Sequence, residues 1–228
     1  MENTSTATEM TKEQILAAYE YRHATKEFDS SRKISGEDFG FILETGRLSP
    51  SSFGFEPWKF VVVQNPELRQ KLLPYAWGAQ KQLPTASHFV LILARQPRDL
   101  AADSDYIQSM MSEVQKLPVE IAEGKQRVYG AFLKNDFGLA GNERAIFEWG
   151  ARQTYLPLGN MMTAAALIGI DSCPIEGFDK QKMEQLLADE GIMDPEHFGL
   201  ACMVAFGYRT SEPRIKTRRP ASRVIEWI

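Results

Sequence analysis

The chain has 228 residues, with 26 Lys and Arg against 30 Asp and Glu and a formal net charge of -4. That length suits one domain, or one domain with an excursion, and a hydrophobic content of 43% can fill a sizeable core. A mildly acidic chain lacks the broad basic footprint of a nucleic-acid binder, and no apolar run approaches the roughly 20 residues of a membrane helix. The polar start, Met1 to Met10, has neither a basic leader nor an apolar stretch, so no secretory signal is expected and the expected compartment is the cytoplasm.

Residues 1–10 are expected to form a flexible tail and 11–228 a single domain. Thr11-Lys-Glu-Gln14 has the form of a capping box, which predicts a helix from there to about Arg22. Ser35 precedes a second helix, Gly36 to about Gly46, followed by a loop rich in Ser, Gly and Pro from Arg47 to Glu56. Trp58 to Val63 is apolar and β-branched, the pattern of a buried strand. Asn65 before Pro66 is a cap with proline at the first helical position, so a helix runs to about Leu73. His88 to Ala94 is a second buried strand, opened by a structural His88. Asp103 to Phe137 has helical character, interrupted at Pro118 and Gly124, and has room for a lid. Arg144 to Ile170 is one long helix, apolar on every side between Leu156 and Ile168. Pro157 should kink it or remove one backbone bond, and Gly169 should stop it. Asp179 caps a helix to about Glu190, and Leu200 to Tyr208 is a third strand. A basic, proline-containing tail follows from Arg209 to Arg223. Val224 to Ile228 is a short strand-like piece that needs apolar cover. Strands alternating with helices, with both sheet faces covered, predict an α-β-α sandwich. No Gly-x-Gly-x-x-Gly follows a strand and no phosphate-cradling P-loop is present, so neither nucleotide-binding signature is supported.

Cys173 and Cys202 sit in apolar neighbourhoods and are expected as buried reduced thiols. No spacing among them and His23, His88 and His197 suits a metal site. Four segments carry chemistry. Arg22, His23 and Lys26 cluster where the first helix ends; such residues bind phosphate, although cations there also simply oppose the helix dipole. The tail sets Arg209, Arg214, Lys216, Arg218, Arg219 and Arg223 against Glu212 alone. Its alternation Lys216-x-Arg218 puts two cations on one side of an extended segment, in a stretch that could equally be a solvated tail. Ser49-Pro-Ser-Ser52, ahead of Glu56-Pro-Trp58, offers small hydroxyl donors between a helix and a strand. Cys173-Pro-Ile-Glu-Gly-Phe178 has the Pro and Gly that fix a backbone path beside a planar ligand, or make a tight turn between helices. No Ser-His-Asp or Cys-His arrangement is readable, nor an acidic pair for glycoside chemistry, which leaves the chemistry to a cofactor.

In this order and spacing the four segments resemble the bacterial FMN-dependent NAD(P)H nitroreductase family, from about Gln14 to Val224. Within it the chain is similar to the subgroup carrying Trp77-Gly-Ala-Gln-Lys-Gln-Leu-Pro-Thr-Ala-Ser-His88. The resemblance implies an α+β, three-layer α-β-α sandwich of nitroreductase type. It also implies a homodimer with the C-terminal segment exchanged and one FMN in each of two interface clefts. Arg22, Lys216 and Arg218 would then grip the FMN phosphate, and His23, Ala24, Thr25 and Lys26 would line the ribityl chain and ring edge. Ser49, Pro50, Ser51 and Ser52 would reach the flavin from the partner subunit. Gln82 would stand as a neutral donor where some members carry lysine. Pro174, Ile175, Glu176 and Gly177 would run past the ring, with the Glu176 and Gly177 backbone near the nitrogen that accepts hydride. Lys26 and that backbone would tune the flavin, with no catalytic side chain. The family often has Asn-Ser-Gln-Pro-Trp where this chain has Gly54-Phe-Glu-Pro-Trp58, which makes Phe53 and Phe55 candidate substrate contacts; Ala24 replaces a Ser of some members. The implied activity is ping-pong: NADH or NADPH reduces FMN and leaves, and a nitroaromatic or quinone takes the electrons. The alternatives are a flavin-binding dimer that sequesters or senses cofactor, and a relative with flavin-destroying or dehalogenating chemistry.

Overall fold

The computed structural model describes residues 10–228, so the expected tail lies, apart from Met10, outside the described residues. Helix α1, Lys12–Tyr21, starts at the capping box: Thr11 N–H donates to Gln14 Oε1 at 2.9 Å, and Gln14 N–H donates to Thr11 Oγ1 at 3.2 Å. Helix α2, Gly36–Arg47, is capped by Ser35, whose Oγ accepts from the Asp38 N–H at 3.0 Å. Strand β1 is Trp58–Val62, and α3, Pro66–Leu72, begins with proline under an Asn65 cap. There follow α4 (Gln82–Thr85), β2 (His88–Arg95), α5 (Asp105–Ser109), α6 (Val119–Ala131), α7 (Glu143–Leu167), β3 (Asp171–Ile175), α8 (Lys180–Asp189) and β4 (Phe198–Gly207).

The four strands pair antiparallel in the order β1-β2-β4-β3. Alternation along β2 sends Phe89, Leu91 and Leu93 to one face and Val90 and Ile92 to the other. The first face packs on Leu72, Leu83, Met183 and Leu187 of α3, α4 and α8. The second packs on Phe39 and Ile42 of α2 and on Leu158, Met161 and Ala165 of α7. The result is the expected three-layer α+β sandwich. Along β4 the alternation slips once. Ile92 pairs with Cys202 but Leu93 pairs with Leu200, so Ala201 is an extra, bulged residue. Because of it, Leu200 faces the α8 layer while Cys202, two residues on, faces the α7 layer.

One expectation is corrected. The segment after α7 is a strand, β3, where the sequence suggested a turn; Pro174 is tolerated because β3 is an edge strand. Pro157 is buried inside a continuous 25-residue helix, where its missing N–H removes one backbone bond without ending α7. Among the described residues Val224 to Ile228 pairs with no strand: it follows a short turn at Ala221–Arg223, and Trp227 is 94% exposed. Residues 105–136 form the expected helical excursion. Pro118 caps α6, Gly124 passes inside it, and both α5 and α6 run on into single π-helical turns at Met110–Val114 and Phe132–Asp136. The excursion has its own core, in which Ile107, Met111, Tyr129 and Leu133 enclose Phe55, Leu100 and Trp149.

Candidate functional site

The chain leaving α1 runs along the outer edge of β3. Ala24 forms a parallel bridge with Ser172, and Thr25 N–H donates to the Ser172 carbonyl at 3.1 Å. On its other side α4 holds it: Gln82 Nε2 donates to the Thr25 carbonyl at 3.3 Å, and Phe28 N–H donates to Thr85 Oγ1 at 3.1 Å. The tail then comes back over the same place. The Lys216 ammonium donates to the carbonyls of Tyr19 and Arg22 at the end of α1. Arg22 lies 4.7 Å over the Tyr19 ring. Burial, and then the positive charges of Arg218 and Arg22, depress the pKa of Lys216, against a smaller opposing effect of the Glu20 carboxylate, so Lys216 lies close to both arginines.

These cations line a cavity of about 560 Å³ whose walls include His23, Ala24, Ser172 and Pro174. His23 and Ala24 also border a second cavity of about 670 Å³, with Thr25, Lys26, Lys81 and Arg214. Pro174 also borders a third, of about 380 Å³, with Tyr155, Ile175, Glu176 and Cys202. The first shares His23 and Ala24 with the second, and Met162 and Pro174 with the third. At the far end Gly78 and Gly177 meet backbone to backbone, with Gly78 N–H donating to the Gly177 carbonyl at 2.7 Å. The Tyr155 hydroxyl donates to the Glu176 carboxylate, and burial together with that bond raises the Tyr155 pKa, so the phenol stays protonated.

Most of the residues singled out from the sequence therefore converge: Arg22 to Lys26, Pro174 to Glu176, Lys216 and Arg218. Gly177 lines none of the three cavities; it follows Glu176 in the chain and meets Gly78. Gln82 lines none of these three cavities. It is buried, with Nε2 directed at Thr25 and at Cys173 Sγ 3.6 Å away, while its neighbour Lys81 is the side chain at the cavity beside Lys26. Phe55 is corrected as well. It is fully buried under Tyr129 and the excursion, and the Tyr106 hydroxyl donates to its carbonyl at 2.6 Å, so it packs the fold and faces no cavity. Phe53 stacks on it, half-buried, with a positive φ of 59°. Pro50, Ser51 and Ser52 lie away from the three cavities of their own chain; Ser51 Oγ accepts from Glu56 N–H and Ser52 N–H donates to Gln153. Arg209, read as part of a solvated tail, is instead paired with buried Asp171. Both cysteines are free and buried; burial raises both thiol pKa values, that of Cys202 to about 12.

The nitroreductase family model matches residues 19–208, which take in the Arg22–Lys26 segment, both glycines of the close contact and the whole sheet. The chain belongs to the nitroreductase family. Among its relatives is the "Putative NAD(P)H nitroreductase YfkO" of Bacillus subtilis, 57% identical over 217 residues, covering 95% of this chain and 98% of YfkO. A nitroreductase-like protein from Streptococcus mutans has the same fold, with a TM-score of 0.78 at 20% identity, over 96% of this chain and all of that one. A protein from Exiguobacterium sibiricum, solved in complex with FMN, matches with a TM-score of 0.74 at 21% identity, over 97% and 99% of the two chains. Lys216 and Arg218 fall outside the span of the family model, so in this nitroreductase their role rests on where the tail places them. Among the described residues no helix is long and apolar enough to cross a membrane.

Proposed function

We propose that this nitroreductase is an FMN-dependent NAD(P)H oxidoreductase, a homodimer that passes electrons from NADH or NADPH to nitroaromatic or quinone acceptors by a ping-pong route. The observation that carries the reading is the convergence of Arg22, Lys216 and Arg218, from opposite ends of the chain, on one cavity. A cavity wall that carries three cations against the carboxylate of Glu20 suits an anion, and a phosphate monoester offers several acceptor oxygens and close to two negative charges. The donor set therefore fits the FMN phosphate. Bound FMN supplies the two-electron chemistry that the side chains themselves lack. Around it, Thr25 and Ala24 present backbone held against β3. Lys26, exposed and with no ion pair among the described residues, offers a cation where negative charge would develop on a reduced ring. Pro174, Ile175, Glu176 and Gly177 supply a backbone wall, and the Gly78 contact fixes its path.

Exposed apolar side chains on α1 and α7, among them Leu16, Tyr155 and Leu156, together with uncovered Val224 to Ile228, support a second copy at this site. In that dimer Pro50, Ser51 and Ser52 would come from the partner, and the C-terminal segment would cross to the partner's sheet. The test is the visible spectrum of the purified protein, then NADPH and NADH oxidation with and without menadione or a nitroaromatic. Yellow protein with acceptor-stimulated turnover is expected. Colourless protein that cannot be reconstituted with FMN overturns the reading, and FMN binding without turnover replaces it with cofactor sequestration.

A further inference from the structure

β3 opens on Asp171, whose side chain is 2% exposed. A carboxylate that deep is stable only when paired and hydrogen-bonded. Its partners come from two distant segments. Arg209 Nε lies 2.8 Å from Oδ1, and the Arg209 backbone N–H donates to Oδ2 at 2.9 Å. The Tyr21 hydroxyl, shared with the Gly169 carbonyl, lies 3.2 Å from Oδ2. Arg209 completes the cluster by lying 4.1 Å over the Tyr21 ring and donating to the Tyr21 carbonyl. None of these three residues lines the cavity of Arg22, Lys216 and Arg218. Yet Tyr21 is the last residue of α1, next to Arg22, and Arg209 is the first residue of the tail that carries Lys216 and Arg218.

We propose that Asp171 is a positioning residue for the phosphate-binding cations. It fixes the end of α1 and the start of the tail on one buried charge, so that side chains separated by 194 positions arrive at the same cavity. Lys216, bonded to the Tyr19 and Arg22 carbonyls, closes the loop from the other side. The inference rests on the FMN reading, and it makes a demand that a general stabilising role would not: the benefit must be specific to the phosphate.

FMN and riboflavin share ring and ribityl chain and differ in that phosphate. The experiment compares dissociation constants of both for the flavin-stripped full-length chain, by fluorescence quenching, in wild type, Asp171→Asn and Tyr21→Phe. Asp171→Asn should weaken FMN by about tenfold or more, the worth of one charge-assisted contact, and leave riboflavin unchanged. Tyr21→Phe removes one bond and no charge, and should lower the FMN-to-riboflavin preference in the same direction by less; it carries the test if the Asn variant does not fold. Equal weakening of both flavins, or an unchanged preference in a folded variant, overturns the inference and leaves the FMN reading intact. Wild-type protein that binds neither flavin overturns the FMN reading first.

Discussion

Gly78→Ala perturbs the closest backbone contact at the site. A Cβ on Gly78 would meet Gly177 Cα at 2.8 Å, its carbonyl oxygen at 3.1 Å and its nitrogen at 3.2 Å. Carbon atoms in ordinary contact stay roughly 3.5–4.0 Å apart, so the two segments must separate by about 1 Å. No flexible side chain is available to give way, since all three atoms are backbone. The separation stretches the 2.7 Å bond from Gly78 N–H to the Gly177 carbonyl. Overpacking of this kind costs about 1–3 kcal/mol of stability. Gly177 also lies in the proposed wall of the flavin cleft, and a displacement of about 1 Å there is worth on the order of a hundredfold in turnover. Urea unfolding followed by tryptophan fluorescence measures the first quantity, and menadione-coupled NADPH oxidation at saturating FMN measures the second. A variant within about 0.5 kcal/mol of wild type, with wild-type turnover, refutes the reasoning.

Lys216→Ala or Arg218→Ala should weaken FMN binding roughly ten- to a hundredfold with the fold intact, as judged by circular dichroism and flavin titration, whereas unchanged affinity in both would mark a merely solvated tail. Lys26→Met should lower the flavin midpoint potential in spectroelectrochemistry, and a raised or unmoved potential would displace Lys26 from its assigned position. Burial, then the charges of Arg69 and Lys33, depress the His88 pKa from 6.5 to about 4. The unfolded chain therefore takes up a proton as pH falls through 6.5, before the folded one does, and stability present above that pH is lost on the way down to 4. His88→Gln should flatten that slope in urea titrations at a series of pH values; an unaltered slope rules His88 out as its source. Deleting residues from Ser222 onward should loosen the dimer and the FMN together, so a truncated protein that stays dimeric by light scattering and retains its flavin contradicts the exchanged tail.

Local signals made much of this fold legible in advance. The Thr11–Gln14 capping box, the Asn65-Pro66 start and the unbroken apolar runs of β2 and β4 are decided by neighbours in sequence, and they were found where expected. β3 was missed because Pro174 is a breaker everywhere except on an edge, and edge position is a property of the whole sheet. Arg22, Lys216 and Arg218 were legible as residue types, while their meeting at one cavity is a property of the tertiary fold that nothing local marks. Phe53 and Phe55 looked like substrate contacts because they stand in the loop where the family often has Asn-Ser-Gln-Pro-Trp. What turns Phe55 inward is the excursion more than 50 residues on, whose Tyr106 and Tyr129 enclose it.

The two edges of the sheet differ in a way that bears on assembly. Along β3 the outer side is already taken, by the Ala24 bridge to Ser172 and the Thr25 bond, and Pro174 has no N–H to offer. Along β1, Trp58 to Val62, no strand is paired on the outer side among the described residues. A strand that a second copy added to this sheet would therefore join β1. In the proposed dimer each chain would have one acceptor edge and one spare donor segment, and reciprocal exchange would fill both acceptors at once. A pair closed in that way would leave no unpaired edge for a third chain, so the same proposed exchange would also stop growth into a filament.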